Sequence, residues 1–195
     1  MKFLIRFFLP FAALLLLASC KKDSMPDIRG NYTFMGISVK GTQQEVWAIG
    51  KPDSLIIMHY YDYAAGEYAG DLTISDSGFE LYQWYYKAES TKRMVFTQAG
   101  YPDREETSPC GGELFPANPT LNYTWKGKDS LTLSGYFIPV VIAGFLPYEP
   151  NLYNVECKLS GDLLTLTERY RYFREQGAYH RYTADMVFTI RFKRK

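Results

Sequence analysis

The strongest constraint on this chain is a two-residue alternation near its C-terminus. Tyr153, Val155, Cys157 and Leu159 point one way, and Asn154, Glu156, Lys158 and Ser160 point the other. The final segment repeats the pattern: Met186, Phe188, Ile190 and Phe192 form an apolar face, and Asp185, Thr189, Arg191 and Lys193 a polar one, broken only by Val187. A strand with one apolar and one wet face packs on a single core, the habit of antiparallel sheets. Ser160-Gly161-Asp162 lies between two such segments as a tight hairpin turn, and Lys126-Gly127-Lys128-Asp129 punctuates the chain in the same way.

Composition carries that reading across the rest of the chain. Aromatics are 17% of residues, with 17 Tyr and 13 Phe, and such side chains favour pleated surfaces. Strands are expected near 30–39, 43–49, 54–62, 68–75, 78–87, 92–98, 121–127, 130–136, 152–160, 163–174 and 182–193, with no amphipathic helix. Residues 99–120, rich in Pro, Gly and acid, read as a long surface loop. Residues 136–150 are apolar with Pro139 and Pro147 and read either as an edge strand with a buried turn or as an apolar flap. About ten short antiparallel strands must close into a barrel or stack as a two-sheet sandwich. Meander-like order favours the barrel, because closure removes exposed edges.

The N-terminal segment has a separate logic. Lys2 and Arg6 precede a short apolar run, Phe7 to Leu17, too short to span a bilayer permanently, and small residues follow it. That is the form of a removable secretory signal. Its end, Leu17-Ala18-Ser19-Cys20, resembles the lipobox of bacterial lipoproteins. The resemblance implies cleavage after residue 19, acylation of Cys20 and anchoring by lipid, with 20–29 as a short tether and 30–195 as one antiparallel β domain. Ser-Cys-Lys-Lys-Asp at the junction resembles Bacteroidetes lipoproteins. Lys21, in place of Asp, implies the outer membrane, and the lack of an acidic cluster after Cys20 leaves the membrane face open.

Cleavage would leave 176 residues, enough for one substantial core. The signal carries off Lys2 and Arg6, so 22 basic residues become 20 against 21 acidic, a net charge of −1. A near-neutral domain lacks the cationic footprint that nucleic acid requires. With Cys20 acylated, Cys110 and Cys157 remain, and an even pair in an oxidising compartment is expected to form a disulfide. Two cysteines and two distant histidines, His59 and His180, show no metal-ligand spacing.

Chemistry is sparse. The sequence has no Gly-x-Ser-x-Gly elbow, no His-Glu-x-x-His and no phosphate-cradling loop, so no catalytic residue and no cofactor is assigned. His59 and His180 stand among tyrosines and read first as structural or surface residues. Asp27-Ile28-Arg29-Gly30-Asn31-Tyr32, followed by a run of hairpins, resembles the lipocalin-like lipoproteins of Bacteroidetes over most of 27–193. Where lipocalins carry Gly-x-Trp on the first strand, this chain has Tyr32, and Arg191 is the expected partner of that ring. The resemblance implies a calycin-type barrel binding a small apolar or amphipathic molecule, with Tyr32, Trp47, Trp84, Tyr123 and Trp125 as the candidate core or cavity rings. The competing expectation is a filled β domain that acts as an interaction module for an outer-membrane protein or a glycan. Such a module would use outward-facing rings such as Tyr85 or the 136–150 segment.

Overall fold

The computed structural model describes residues 25–134 and 152–195. Cys20, the signal segment and the 136–150 segment lie outside the described residues. Among the described residues there are ten strands: β1 (Gly30–Trp47), β2 (Leu55–Ala64), β3 (Glu67–Ile74), β4 (Phe79–Gln98), β5 (Arg104–Ala117), β6 (Thr120–Trp125), β7 (Ser130–Ser134), β8 (Leu152–Ser160), β9 (Leu163–Gln176) and β10 (His180–Arg194). Among the described residues there is no α-helix, only a 3₁₀ turn at Gly177–Tyr179.

The strands form a closed antiparallel ring of eight positions, an up-and-down barrel. β2 and β3 follow one another along the same flanks of β1 and β4, so they fill a single position. The link stays in the ladder through Ala65 N–H to Ile37 O at 2.8 Å and Gly66 N–H to Lys87 O at 3.0 Å. β5 and β6 share the next position, both against β4. The ring closes where β1 pairs with β10 from Tyr32↔Arg194 to Trp47↔His180. One continuous sheet therefore wraps on itself, the barrel rather than the open sandwich.

Bulges account for two places where buried residues break strict alternation within a strand. Phe34 and Ile37 are both buried although three residues apart, and the β1–β10 register shifts between them. Leu81 and Trp84 repeat the anomaly on β4. There the β3–β4 register shifts opposite Gly70, and Gln83 takes a left-handed φ of 47°. A Cβ on Gly70 would sit 2.8 Å from Trp84 Cα, so only glycine lets the two backbones approach this closely. The extra residue turns Trp84 inward.

Residues 99–120 are not a loop. β5 runs through most of them, with Pro109 opposite Thr91, and among the described residues β4 is its only sheet neighbour. A strand with one free edge tolerates proline, since the missing donor has no ladder bond to make. The expected Cys110–Cys157 bridge is also corrected: both cysteines are free thiols. Cys157 lies on β8 in register with Leu166, while Cys110 lies on β5 opposite Ser90, and neither strand pairs with the other. Burial pushes the Cys157 thiol up to about 12 and raises Cys110 too. Reductant is therefore expected to leave the melting temperature unchanged. A fall of roughly 5–15 °C, the signature of losing a native bridge, would show that the thiols pair in solution.

The barrel has two unlike ends. One end gathers the start of β1, the end of β10 and the β3–β4, β6–β7 and β8–β9 turns. Its interior is filled by Tyr32, Phe34, Phe79, Trp84 and Phe192, all fully buried. Phe34 meets Trp84 edge-on at a centroid distance of 5.7 Å, and Phe192 at 5.5 Å. Ile28, before the first strand, is 1% exposed and plugs this end, its carbonyl accepting the Tyr32 hydroxyl at 2.6 Å.

Arg194, not Arg191, packs against Tyr32. Its guanidinium lies 5.3 Å from the ring centroid and donates to the hydroxyl at 2.8 Å and to the Asp27 and Arg29 carbonyls at 3.0 and 3.2 Å. Arg191 is exposed. Removing this clamp by Arg194→Ala is expected to destabilise the domain by about 2 kcal/mol, read by urea unfolding.

Candidate functional site

At the opposite, open end lie the β1–β2, β4–β5 and β9–β10 turns, and there the inward face changes character. Residues directly opposite in an antiparallel ladder share a face, so the registers show which side chains line the interior. Above Val39, Tyr63 and Phe188 the facing sets are Gly41, Tyr61, Met186 and Tyr170; then Gln43, His59, Ala184 and Tyr172; then Glu45, Ile57, Tyr182 and Arg174. Apolar floor gives way to polar wall within two strand repeats.

Four polar residues on that wall are almost wholly buried: Gln43, Glu45, His59 and His180, each 5–7% exposed. Burying such groups without partners is costly, and a charge more so, which makes their contacts decisive. Lys92 Nζ lies 3.5 Å from the Tyr61 hydroxyl, which donates to Gln43 Oε1 at 3.1 Å. Gln43 Nε2 in turn donates to Glu45 Oε1 at 3.3 Å. His59 Nε2 stands 3.0 Å from the same carboxylate oxygen, yet its N–H is not aimed along that line, so the contact is electrostatic rather than an aligned hydrogen bond. Trp47 stacks on His180 at a centroid distance of 3.6 Å, and Tyr182 meets His180 edge-on at 3.9 Å.

Burial by itself would raise the Glu45 carboxyl. His59 overcomes it, with help from the Trp47 indole and His180, and Glu45 is held below its usual value and ionised. Glu168 behaves in the opposite way. It faces the interior from β9, opposite Phe188, makes no hydrogen bond or ion pair among the described residues, and is pushed up to about 7 by burial alone. Two carboxyls in one interior are thus driven apart, one charged and one neutral near pH 6.

Several buried atoms remain without a hydrogen-bond partner: both His59 nitrogens and His180 Nε2. Buried polar atoms are seldom left so, and those that are need water or a ligand. Other inward side chains at this end, among them Ser90, Lys92, Cys110 and Tyr170, are only half-buried. Among the described residues no three His, Cys, Asp or Glu side chains come close enough to hold a metal ion. Cys110 faces Lys92, but burial outweighs that charge and keeps the thiol protonated.

Of the five rings expected to line the core or a cavity, four lie in or against the core and only one reaches the open end. Tyr32 and Trp84 belong to the filled core. Tyr123 and Trp125 sit half-buried at the closed end, beside Met25 and Pro26. Only Trp47 reaches the open end, 44% exposed over His180. Sequence reasoning passed over Glu45 and Gln43 and left both histidines aside. The one available signal was parity: Gln43, Glu45 and Trp47 occupy alternate positions continuing from Val39 and Gly41, the inward set of β1.

Compared with known proteins, the chain matches no family model, no curated sequence and no solved structure.

Proposed function

We propose that this chain is a lipid-anchored binding protein of the bacterial envelope, without catalytic activity, which takes a small amphipathic molecule into the open half of its barrel. The observation carrying this reading is the set of inward, buried and incompletely partnered groups, His59 and His180 beside Glu45, above a filled apolar floor. Binding sites of this kind combine apolar and aromatic walls with a few placed polar groups. Tyr170, Tyr172 and Met186 supply the former here. Support for the anchor is the segment Leu17-Ala18-Ser19-Cys20 behind its apolar run, together with the resemblance to Bacteroidetes lipocalin-like lipoproteins.

The test is titration of the domain from residue 25 with N-phenyl-1-naphthylamine, followed by probe fluorescence. Saturable binding of about one probe per barrel, weakened several-fold by Tyr170→Glu and unchanged by Tyr82→Glu on the outer face, is the expected result. Weakening by Tyr82→Glu alone would favour the second reading, an interaction module. That reading rests on Met35, Tyr68 and Tyr82, which lie 40%, 43% and 59% exposed on the neighbouring strands β1, β3 and β4.

A further inference from the structure

We infer that the barrel stands with its closed end on the phospholipid headgroups and presents its open mouth to the aqueous compartment, away from the bilayer that holds the lipid. This rests on the reading of Cys20 as the lipidated residue, and it adds a direction that the anchor alone does not specify.

The chain leaves the barrel at the filled end. Ile28 is buried there, Arg194 holds the Asp27 and Arg29 carbonyls, and Asp27 and Arg29 are paired through Oδ1 at 2.8 Å. The stretch from residue 27 onward is thus part of the folded body and adds no reach. Between Cys20 and Asp27 lie seven residue-to-residue steps, which at full extension span at most about 25 Å. Acyl chains on Cys20 must therefore hold the filled end within about that distance of the headgroups. β1 runs 18 residues from this end to the mouth, which at the usual strand rise and barrel tilt is about 40 Å. Seven steps of tether, about 25 Å at most, fall short of carrying the mouth down to the surface.

The chemistry of the filled end suits this neighbour. Trp125 and Tyr123 are half-buried around Met25, itself 53% exposed, and Leu163, which opens β9 at this end, is 36% exposed. Exposed Lys126 follows Trp125 directly. Aromatic rings with a polar atom, single apolar side chains and lysines are the composition found at membrane interfaces. The mouth carries its own exposed rings, Tyr101 at 70% and Tyr179 at 67%. They define the competing arrangement, in which the tips of the mouth dip into lipid. A consequence follows for the ligand: it enters from water or from another protein and is not drawn sideways out of the host bilayer.

The test uses the full lipidated chain, in a Cys110→Ser background, reconstituted into phosphatidylcholine vesicles that carry a headgroup-labelled acceptor lipid. A donor dye is placed at Lys126→Cys or at Tyr179→Cys. Cys157, 1% exposed, is shielded from the label. Energy transfer several-fold more efficient from position 126 than from 179 is the expected result. Equal or reversed efficiencies on vesicle-bound protein would overturn the orientation while leaving the anchor intact. Failure of the protein to float with the vesicles would remove the anchor, and the orientation with it.

Discussion

Replacing His59 by leucine is expected to destabilise the domain by about 2–3 kcal/mol, because it strips a buried carboxylate of its nearest polar neighbour, 3.0 Å away. Glu45 is only 7% exposed and cannot turn to water. With His59 gone, Gln43 at 3.3 Å, the Trp47 indole and His180 are what remain to hold it. Adding Glu45→Gln to His59→Leu is expected to return most of the loss, since the amide needs no counter-charge. Urea unfolding of both variants, followed by tryptophan fluorescence, decides the matter. A single substitution as stable as the wild type would mean that His59 does not hold the carboxylate. The pH dependence has a fixed sign. Glu45 titrates below its usual value in the folded protein, so its contribution is present above the ordinary glutamate range and is lost as pH falls through the lower folded value. The penalty for losing His59 should accordingly shrink in acid, where the abandoned carboxyl takes up a proton.

The second large effect runs the other way. Glu168→Gln is expected to stabilise the domain by about 2 kcal/mol at pH 8 and to change little at pH 4.5. The Glu168 carboxyl sits near 7 in the folded protein against an ordinary value of 4.5, so between those limits the folded state keeps a proton that the unfolded chain has released. Stability then falls as pH rises through that window, and above it the full cost of a buried, unpaired carboxylate is felt. The figure is set below the full shift because Glu168 keeps partial contact with solvent. Paired denaturation curves at the two pH values would contradict this if the gain were equal at both. Together the two acids place the stability maximum in mildly acidic solution. Glu168, protonated there, can also donate a hydrogen bond to whatever occupies the open half.

How much of this was legible beforehand depended on how cleanly each strand alternates. β8, β9 and β10 read correctly because Val155, Cys157, Phe188, Ile190 and Phe192 keep strict parity to the floor of the barrel. β1 and β4 read as two strands each, because Gly41-Thr42 and Glu89-Ser90-Thr91 interrupt the apolar rhythm, yet the ladders run unbroken through both stretches. β5 was hidden by Pro109, Pro116 and two adjacent glycines, residues that normally mark loops and are accepted here on a one-sided strand. The cysteine pairing failed for a different reason: parity fixes a face but not which strands become neighbours. The site was the least legible part. Gln43, Glu45 and His59 occupy inward positions but look polar, and an isolated polar face reads as the wet one until the ring closes around it.

That closure joins the first strand of the domain to the last. From Tyr32↔Arg194 to Trp47↔His180, β1 bonds to a strand far removed from it in sequence. Contacts so distant in sequence slow folding, because a long loop must be ordered before they form. Until β10 arrives, one flank of β1 has no partner on that side and half of the interior stands open. The native state is thus withheld until β10 is in place, which makes loss of that strand far more damaging than loss of any single turn.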